Sequence, residues 1–79
     1  MSQLILYYQP ECHLCDDAEE LIQAAGLDED CVRVDIETDL ELLKRYGIHV
    51  PVLKRNSDER ELFWPFNLED LAAFLQTRG

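Results

Sequence analysis

One amphipathic stretch, His13 to Ala25, lies between two segments of strand character, and this arrangement constrains the fold more than any other feature of the chain. The first segment, Leu4-Ile5-Leu6-Tyr7-Tyr8, is an unbroken apolar run, the pattern of a central strand covered on both faces. The second, Cys31 to Ile36, alternates with period two, which sends Val32, Val34 and Ile36 inward and Arg33 and Asp35 outward. Between them, Leu14, Cys15, Ala18, Leu21, Ile22 and Ala25 recur at spacings of three and four, tracing one face of a helix that ends near Gly26. A strand, a helix and a second strand of these lengths form a βαβ unit, so the two strands run parallel with a right-handed crossover.

The rest of the chain adds a helix, a hairpin and a last helix. Thr38-Asp39-Leu40-Glu41 has capping-box spacing, and Leu40, Leu42, Leu43 and Tyr46 follow before Gly47 ends a short helix. Val50-Pro51-Val52-Leu53 and Glu61-Leu62-Phe63-Trp64 flank a charged turn and should pair antiparallel. Asn67 is placed to cap a final helix in which Leu68, Leu71, Ala72 and Leu75 share a face. The expected order is βαβ followed by αββα.

With 79 residues, 47% of them hydrophobic, the chain has apolar material for one core only, and residues 1–79 are expected to form a single domain. Seven Lys+Arg against 17 Asp+Glu give a net charge of -10, which opposes attraction to phosphate backbones and anionic lipid. Neither nucleic acid nor a membrane is an expected partner. The stretch from Met1 to Tyr8 has no basic residue and ends its apolar run at Gln9-Pro10, unlike a signal peptide or a membrane span. Three cysteines are too few for a secreted disulfide scaffold, and their odd number leaves at least one unpaired in a monomer. A cytoplasmic, monomeric protein is the expectation.

Chemistry concentrates in Cys12-His13-Leu14-Cys15, at the junction of the first strand and first helix. Cys12 lies at the positive end of the helix dipole, among N–H groups without intrahelical partners, which favours thiolate over thiol. Cys15 is three residues on, with its Cβ roughly 5 to 6 Å from that of Cys12, so a small adjustment reaches disulfide geometry. Cys15 also belongs to the inward stripe, whereas Cys12 stands at the exposed start. Cys12 is therefore the expected nucleophile and Cys15 the thiol that resolves the mixed disulfide. Glu11, Asp16 and Asp17 surround the motif, and a carboxylate some ~8 Å away opposes a thiolate by roughly 0.5 kcal/mol in water. His13 and His49 sit beside the motif and the Val50-Pro51 segment and read chiefly as solvated side chains, while Cys31 reads as a small core residue. A zinc site would need a second pair of ligands, and no second C-x-x-C exists.

These residues resemble the thioredoxin-like superfamily, and the chain looks like a short glutaredoxin-like protein over essentially its whole length. Two motifs carry the likeness: Cys12 to Cys15 at the strand–helix junction, and Gly47-Ile48-His49-Val50-Pro51-Val52-Leu53, similar to the family's cis-proline segment. The resemblance implies an α/β fold of glutaredoxin type, βαβαββα, with a four-stranded mixed sheet flanked by three helices. It implies a cis Val50-Pro51 bond, with the Val50 backbone hydrogen-bonding an extended disulfide substrate. Where glutathione-binding members carry a lysine before the motif, a Pro-Tyr pair within it and a Gly-Gly before the last helix, this chain has Gln9, His13-Leu14 and the Phe66-Asn67 neighbourhood. Lys44, Arg45 and the Asn67 N–H are the candidate replacements for such a site.

The resulting expectation is a thiol–disulfide oxidoreductase with Cys12 and Cys15 as catalytic residues and with Val50, Pro51, His13, His49 and Asn67 lining the substrate slot. No bound cofactor or metal is expected, and glutathione enters only as a reductant. The partner is a disulfide-containing protein or a low-molecular-weight thiol. The rival expectation is a redox-silent module that keeps the fold and binds a protein through the same cleft.

Overall fold

Leu4–Tyr8 forms strand β1 of a four-stranded sheet whose order is β2-β1-β3-β4, in a computed structural model that describes residues 3–76. The other elements are helix α1 (His13–Ala24), β2 (Cys31–Asp35), α2 (Leu40–Tyr46), β3 (Val52–Arg55), β4 (Glu61–Phe63) and α3 (Leu68–Gln76), with single 3-10 turns before and after β2. β1 pairs parallel with β2, Leu4 opposite Cys31 and Tyr8 opposite Asp35. It pairs antiparallel with β3, Tyr7 opposite Val52, and β3 pairs antiparallel with β4, Val52 opposite Phe63. The βαβ unit and the hairpin are thus both present. Among the described residues no helix is long and apolar enough to cross a membrane.

A central strand sends alternate side chains to opposite faces, and β1 supplies two cores in this way. Leu4 and Leu6 pack with Ala18 and Ile22 of α1, Leu53 of β3, and Phe66, Leu71 and Phe74 at and within α3. On the other face Tyr7 packs with Ile36, Tyr46 and Val52, joined by Ile5, Val34, Leu42 and Leu43. The rings of Tyr7 and Tyr46 stack with centroids 4.5 Å apart. Helices α1 and α3 therefore cover one side of the sheet and α2 the other.

Several sequence expectations shift in detail, each for a physical reason. Val32 is 44% exposed rather than inward, because β2 is an edge strand and the seven-residue α2 covers Val34 on that face without reaching Val32. Arg33 is not merely solvated: its Nε lies 2.8 Å from Glu19 on α1. The cap of α2 is Asp39 rather than Thr38, its carboxylate accepting from the N–H groups of Glu41 and Leu42, while the Thr38 hydroxyl donates to the Asp35 carbonyl. Leu40 consequently points to solvent, as does Leu14 on the first turn of α1. The inward residues of α3 are Leu71 and Phe74, with Leu75 partly covered; Leu68 and Ala72 are exposed.

β3 begins at Val52, two residues after the expected start. Val50 still donates its N–H to the Tyr46 carbonyl at 3.0 Å, a contact that belongs to the exit from α2, and Pro51 has no N–H for a ladder. Gly47 makes that exit tight: a Cβ there would stand 2.5 Å from the Leu43 carbonyl oxygen. Gly26, at φ +74, ends α1 in the left-handed conformation that glycine adopts without strain.

Candidate functional site

The register fixes where the two sequence motifs meet. Because Tyr7 opposes Val52, the chain leaving the end of β1 toward Cys12 runs beside the chain entering β3 through Val50-Pro51. The Val50-Pro51 peptide bond is cis, as the resemblance implies, and a second cis bond, Trp64-Pro65, follows β4. The two loops are joined by a hydrogen bond in which the Trp64 N–H donates to the Pro51 carbonyl at 3.3 Å.

Cys12 caps α1. Its backbone is extended, at φ -110 and ψ 109, and its Sγ accepts the Cys15 N–H at 3.2 Å, while its carbonyl accepts the first helical hydrogen bond from Asp16 at 3.1 Å. A sulfur in the cap position takes up one of the N–H groups the helix leaves without a partner. The residue before it, Glu11, is held at φ +57, where a side-chain-bearing residue is strained, and this turn aims Cys12 out of the strand and into the helix start.

Cys12 is half-buried, whereas Cys15 is only 4% exposed and belongs to the buried face of α1 with Ala18 and Ile22. Burial pushes the Cys15 thiol up to about 12, helped by its hydrogen bond to Cys12 and opposed by a hydrogen bond from the Gln9 backbone. All three cysteines are free thiols. Cys31, at the start of β2, is half-buried against the α1 and α3 core, and burial raises its thiol as well. Among the described residues no group of three or more histidine, cysteine, aspartate or glutamate side chains is placed to hold a metal ion.

The remaining candidates divide by what already occupies their polar groups. The Val50 N–H is engaged by Tyr46, so the Val50 group left for a substrate is its carbonyl. At α3 the Asn67 Oδ1 accepts the Asp70 N–H at 2.8 Å, and the Asn67 N–H donates to the Asp70 carboxylate at 3.1 Å. This reciprocal cap withdraws the Asn67 N–H that the sequence offers to a ligand. His13 is exposed on the first turn of α1. His49 is exposed too, its ring meeting that of Phe63 edge-on with centroids 5.4 Å apart. Of the aromatic trio around Pro65, Phe66 is buried and Trp64 packs on it edge-to-face at 5.0 Å, whereas Phe63 remains 43% exposed beside His49.

Sequence reasoning passed over two features of this neighbourhood. Ile48 is 92% exposed and, with the 48% exposed Leu14, adds apolar surface beside Phe63 of β4, the aromatic that the sequence already suggests as a groove wall; only the position of Ile48 between Gly47 and the cis-proline segment hinted at it. The second is the Tyr46 hydroxyl, which donates to the Glu61 carboxylate of β4; burial and that bond both raise the tyrosine. Tyr46 thereby ties α2 to the hairpin directly behind the Val50 loop.

Residues 3–76 match the family model described as glutaredoxin-like domain (DUF836). Among solved structures the chain is similar to the target protein XcR50 from X. campestris, at 39% identity over 96% of this chain and 99% of that one, with a TM-score of 0.86 for the X-ray structure. The solution structure of XcR50 superposes with a TM-score of 0.83 over 98% and 96% of the two chains. Ne2328 from Nitrosomonas europaea, 21% identical with 91% and 88% of the chains covered and a TM-score of 0.75, shares the fold. No curated protein matches the sequence. The three helices and mixed four-stranded sheet are a thioredoxin-like fold, and the chain belongs to the glutaredoxin-like domain (DUF836) family.

Proposed function

We propose that the chain is a thiol–disulfide oxidoreductase in which Cys12 is the nucleophile and Cys15 the resolving thiol. The observation that carries this reading is the cap geometry: Cys12 Sγ receives the Cys15 N–H at the start of α1, with the Cys15 side chain buried beneath it on the same turn. In the first step the Cys12 thiolate attacks one sulfur of a substrate disulfide, forming a mixed disulfide and releasing the other substrate sulfur as a thiolate. The Cys15 thiol then gives its proton to that leaving group or to water, and its sulfur attacks Cys12 Sγ. This closes the Cys12–Cys15 disulfide and frees the second substrate thiol. Two electrons pass to the substrate, and an external thiol returns the protein to the dithiol form. Burial keeps Cys15 protonated until the mixed disulfide forms, which assigns the attack to Cys12.

The cis-proline segment shapes the slot, with the Val50 carbonyl accepting a backbone N–H from an extended substrate. The setting assigned to this chemistry is the cytoplasm, with a disulfide-containing protein or a small thiol as partner and glutathione or a dithiol reductase as the restoring agent. Pre-reduced protein should consume a disulfide peptide in a single turnover and lose two hydrogens by mass. Cys12→Ser should fall to the uncatalysed background, and Cys15→Ser should accumulate the mixed disulfide. A native chain no faster than Cys12→Ser, both at the uncatalysed background, would leave a redox-silent binding module as the correct reading.

A further inference from the structure

We infer, on the basis of the oxidoreductase reading above, that the cleft selects protein disulfides flanked by basic residues and discriminates against glutathione disulfide. Three independent features of the cleft converge on this substrate class.

The first is charge. Glu11, Asp16 and Asp17 bracket Cys12 on both sides and all three are exposed. The ion pairs formed by the described residues join Arg33 to Glu19, Lys54 to Glu59 and Arg55 to Asp58, so each neutralises a carboxylate other than these three. No lysine or arginine precedes Arg33 in the chain, and the exposed Lys44 and Arg45 of α2, whose charge acts in the opposite sense, are fewer than the three carboxylates beside Cys12. A substrate whose cysteine is flanked by cations thus meets a field that draws it to Cys12, and one carrying carboxylates is repelled. At ~8 Å in water each carboxylate changes encounter by roughly twofold, so three together give about tenfold.

The second is the occupation of the backbone donors. A peptide carboxylate is held by free N–H groups, yet the Val50 N–H is bonded to Tyr46 and the Asn67 N–H to Asp70. What the Val50 segment presents is an acceptor, its carbonyl, which suits the N–H of an extended chain. The third is the apolar component: Leu14 and Ile48 lie exposed on the segments that carry the two motifs, and Phe63 lies exposed on β4 opposite Val52, giving the side chains that flank a substrate cysteine something to pack against. A tripeptide with two carboxylates meets these features unfavourably, and a longer basic segment meets them favourably.

The test uses two peptides with an internal disulfide, identical except that lysine or glutamate flanks each cysteine, together with glutathione disulfide. Pre-reduced native protein is mixed with each in single turnover and the thiols formed are counted by chromatography. Every rate is divided by that of dithiothreitol on the same compound, which removes intrinsic reactivity. The lysine peptide should react at least about tenfold faster than the glutamate peptide at roughly 20 mM salt, since one is attracted and the other repelled, and the ratio should fall to a few-fold at roughly 300 mM, where screening is strong. Neutralising the rim with E11Q/D16N/D17N should bring the low-salt ratio close to one, and the salt series on the native chain supports or refutes the inference even if that variant is unstable. Equal rates for the two peptides at low salt, or glutathione disulfide outpacing the lysine peptide, would overturn the inference and leave the oxidoreductase reading intact, provided Cys12→Ser is inert. If none of the three compounds reacts faster with native protein than with Cys12→Ser, both fall together.

Discussion

Burial holds the Cys15 thiol at about 12, well above the ordinary cysteine value of 9.0, and this single fact orders the chemistry of the motif. At pH 8 iodoacetamide should label Cys12 well before Cys15, a sequence that peptide mapping by mass spectrometry resolves. Equal labelling of the two would contradict the burial difference. The same shift makes a stability prediction. A thiol raised in the folded state binds its proton more tightly there than in the unfolded chain, so its contribution is complete below pH 9 and is lost as pH rises from 9 toward 12. Denaturant midpoints should decline across that window in the reduced protein, and Cys15→Ala should flatten that part of the decline. Much of this was legible in the residues: the spacing of Cys12 and Cys15 placed one sulfur at the helix start and the other on the apolar stripe. What spacing could not give was the state of the neighbouring polar groups. Whether the Val50 and Asn67 N–H groups are open to a ligand depends on Tyr46 and Asp70, and sequence distance alone does not reveal that both are taken.

Among the elements, the hairpin and α3 are held together by one buried cation. Arg55 at the end of β3 donates through Nε to Asp58 at 2.9 Å, its second nitrogen also reaches that carboxylate, and its third donates to the Phe74 carbonyl in α3. The guanidinium also lies 5.3 Å from the Phe74 ring centroid. Arg55 holds the Asp58 carboxyl down to about 2. A depressed carboxylate stabilises the fold above its unfolded value near ~4 and loses that contribution as pH falls toward 2. The native melting temperature should therefore drop between pH 4 and 2, and Asp58→Asn should start lower and show a shallower acid limb. Gly47 gives a second test at this scale. An alanine Cβ would press on the Leu43 carbonyl, so Gly47→Ala should destabilise by about 1 to 3 kcal/mol and displace the Ile48–Pro51 segment, read by urea unfolding and by amide shifts at His49 and Val50. Element types followed from periodicity, but their ends did not. Val32 and Leu40 satisfy the apolar pattern and still face water, Val32 because a helix of seven residues covers only part of one sheet face and Leu40 because the Asp39 cap sets it on the outer side of that helix. Asp39 displaced Thr38 as the cap because a 3-10 turn occupies Ile36–Thr38, where the sequence suggested only a connection.

At the scale of the whole molecule, a net charge of -10 on 79 residues means that the folded state carries considerable self-repulsion. Moderate salt should raise the melting temperature by screening it, while the same salt weakens the attraction of a basic substrate; calorimetry and single-turnover rates on one salt series should move in opposite directions. A melting temperature that falls between roughly 20 and 300 mM sodium chloride would show that the ion pairs found among the described residues outweigh the repulsion. The overall plan was readable from pattern, since strand, helix, strand, helix, hairpin and helix in this order admit few other arrangements, but the apolar residues form two clusters, one on each face of the sheet, where composition suggested one core. The joining of the two cis-proline loops was not, because it rests on a backbone bond between residues far apart in the chain. That bond has a practical consequence. Trp64 is the chain's only tryptophan; its amide donates to the Pro51 carbonyl of the cis-proline segment and its ring meets Phe66 edge-on. The protein thus carries a built-in optical probe, and its indole emission should report opening, closing or filling of the slot without any attached label.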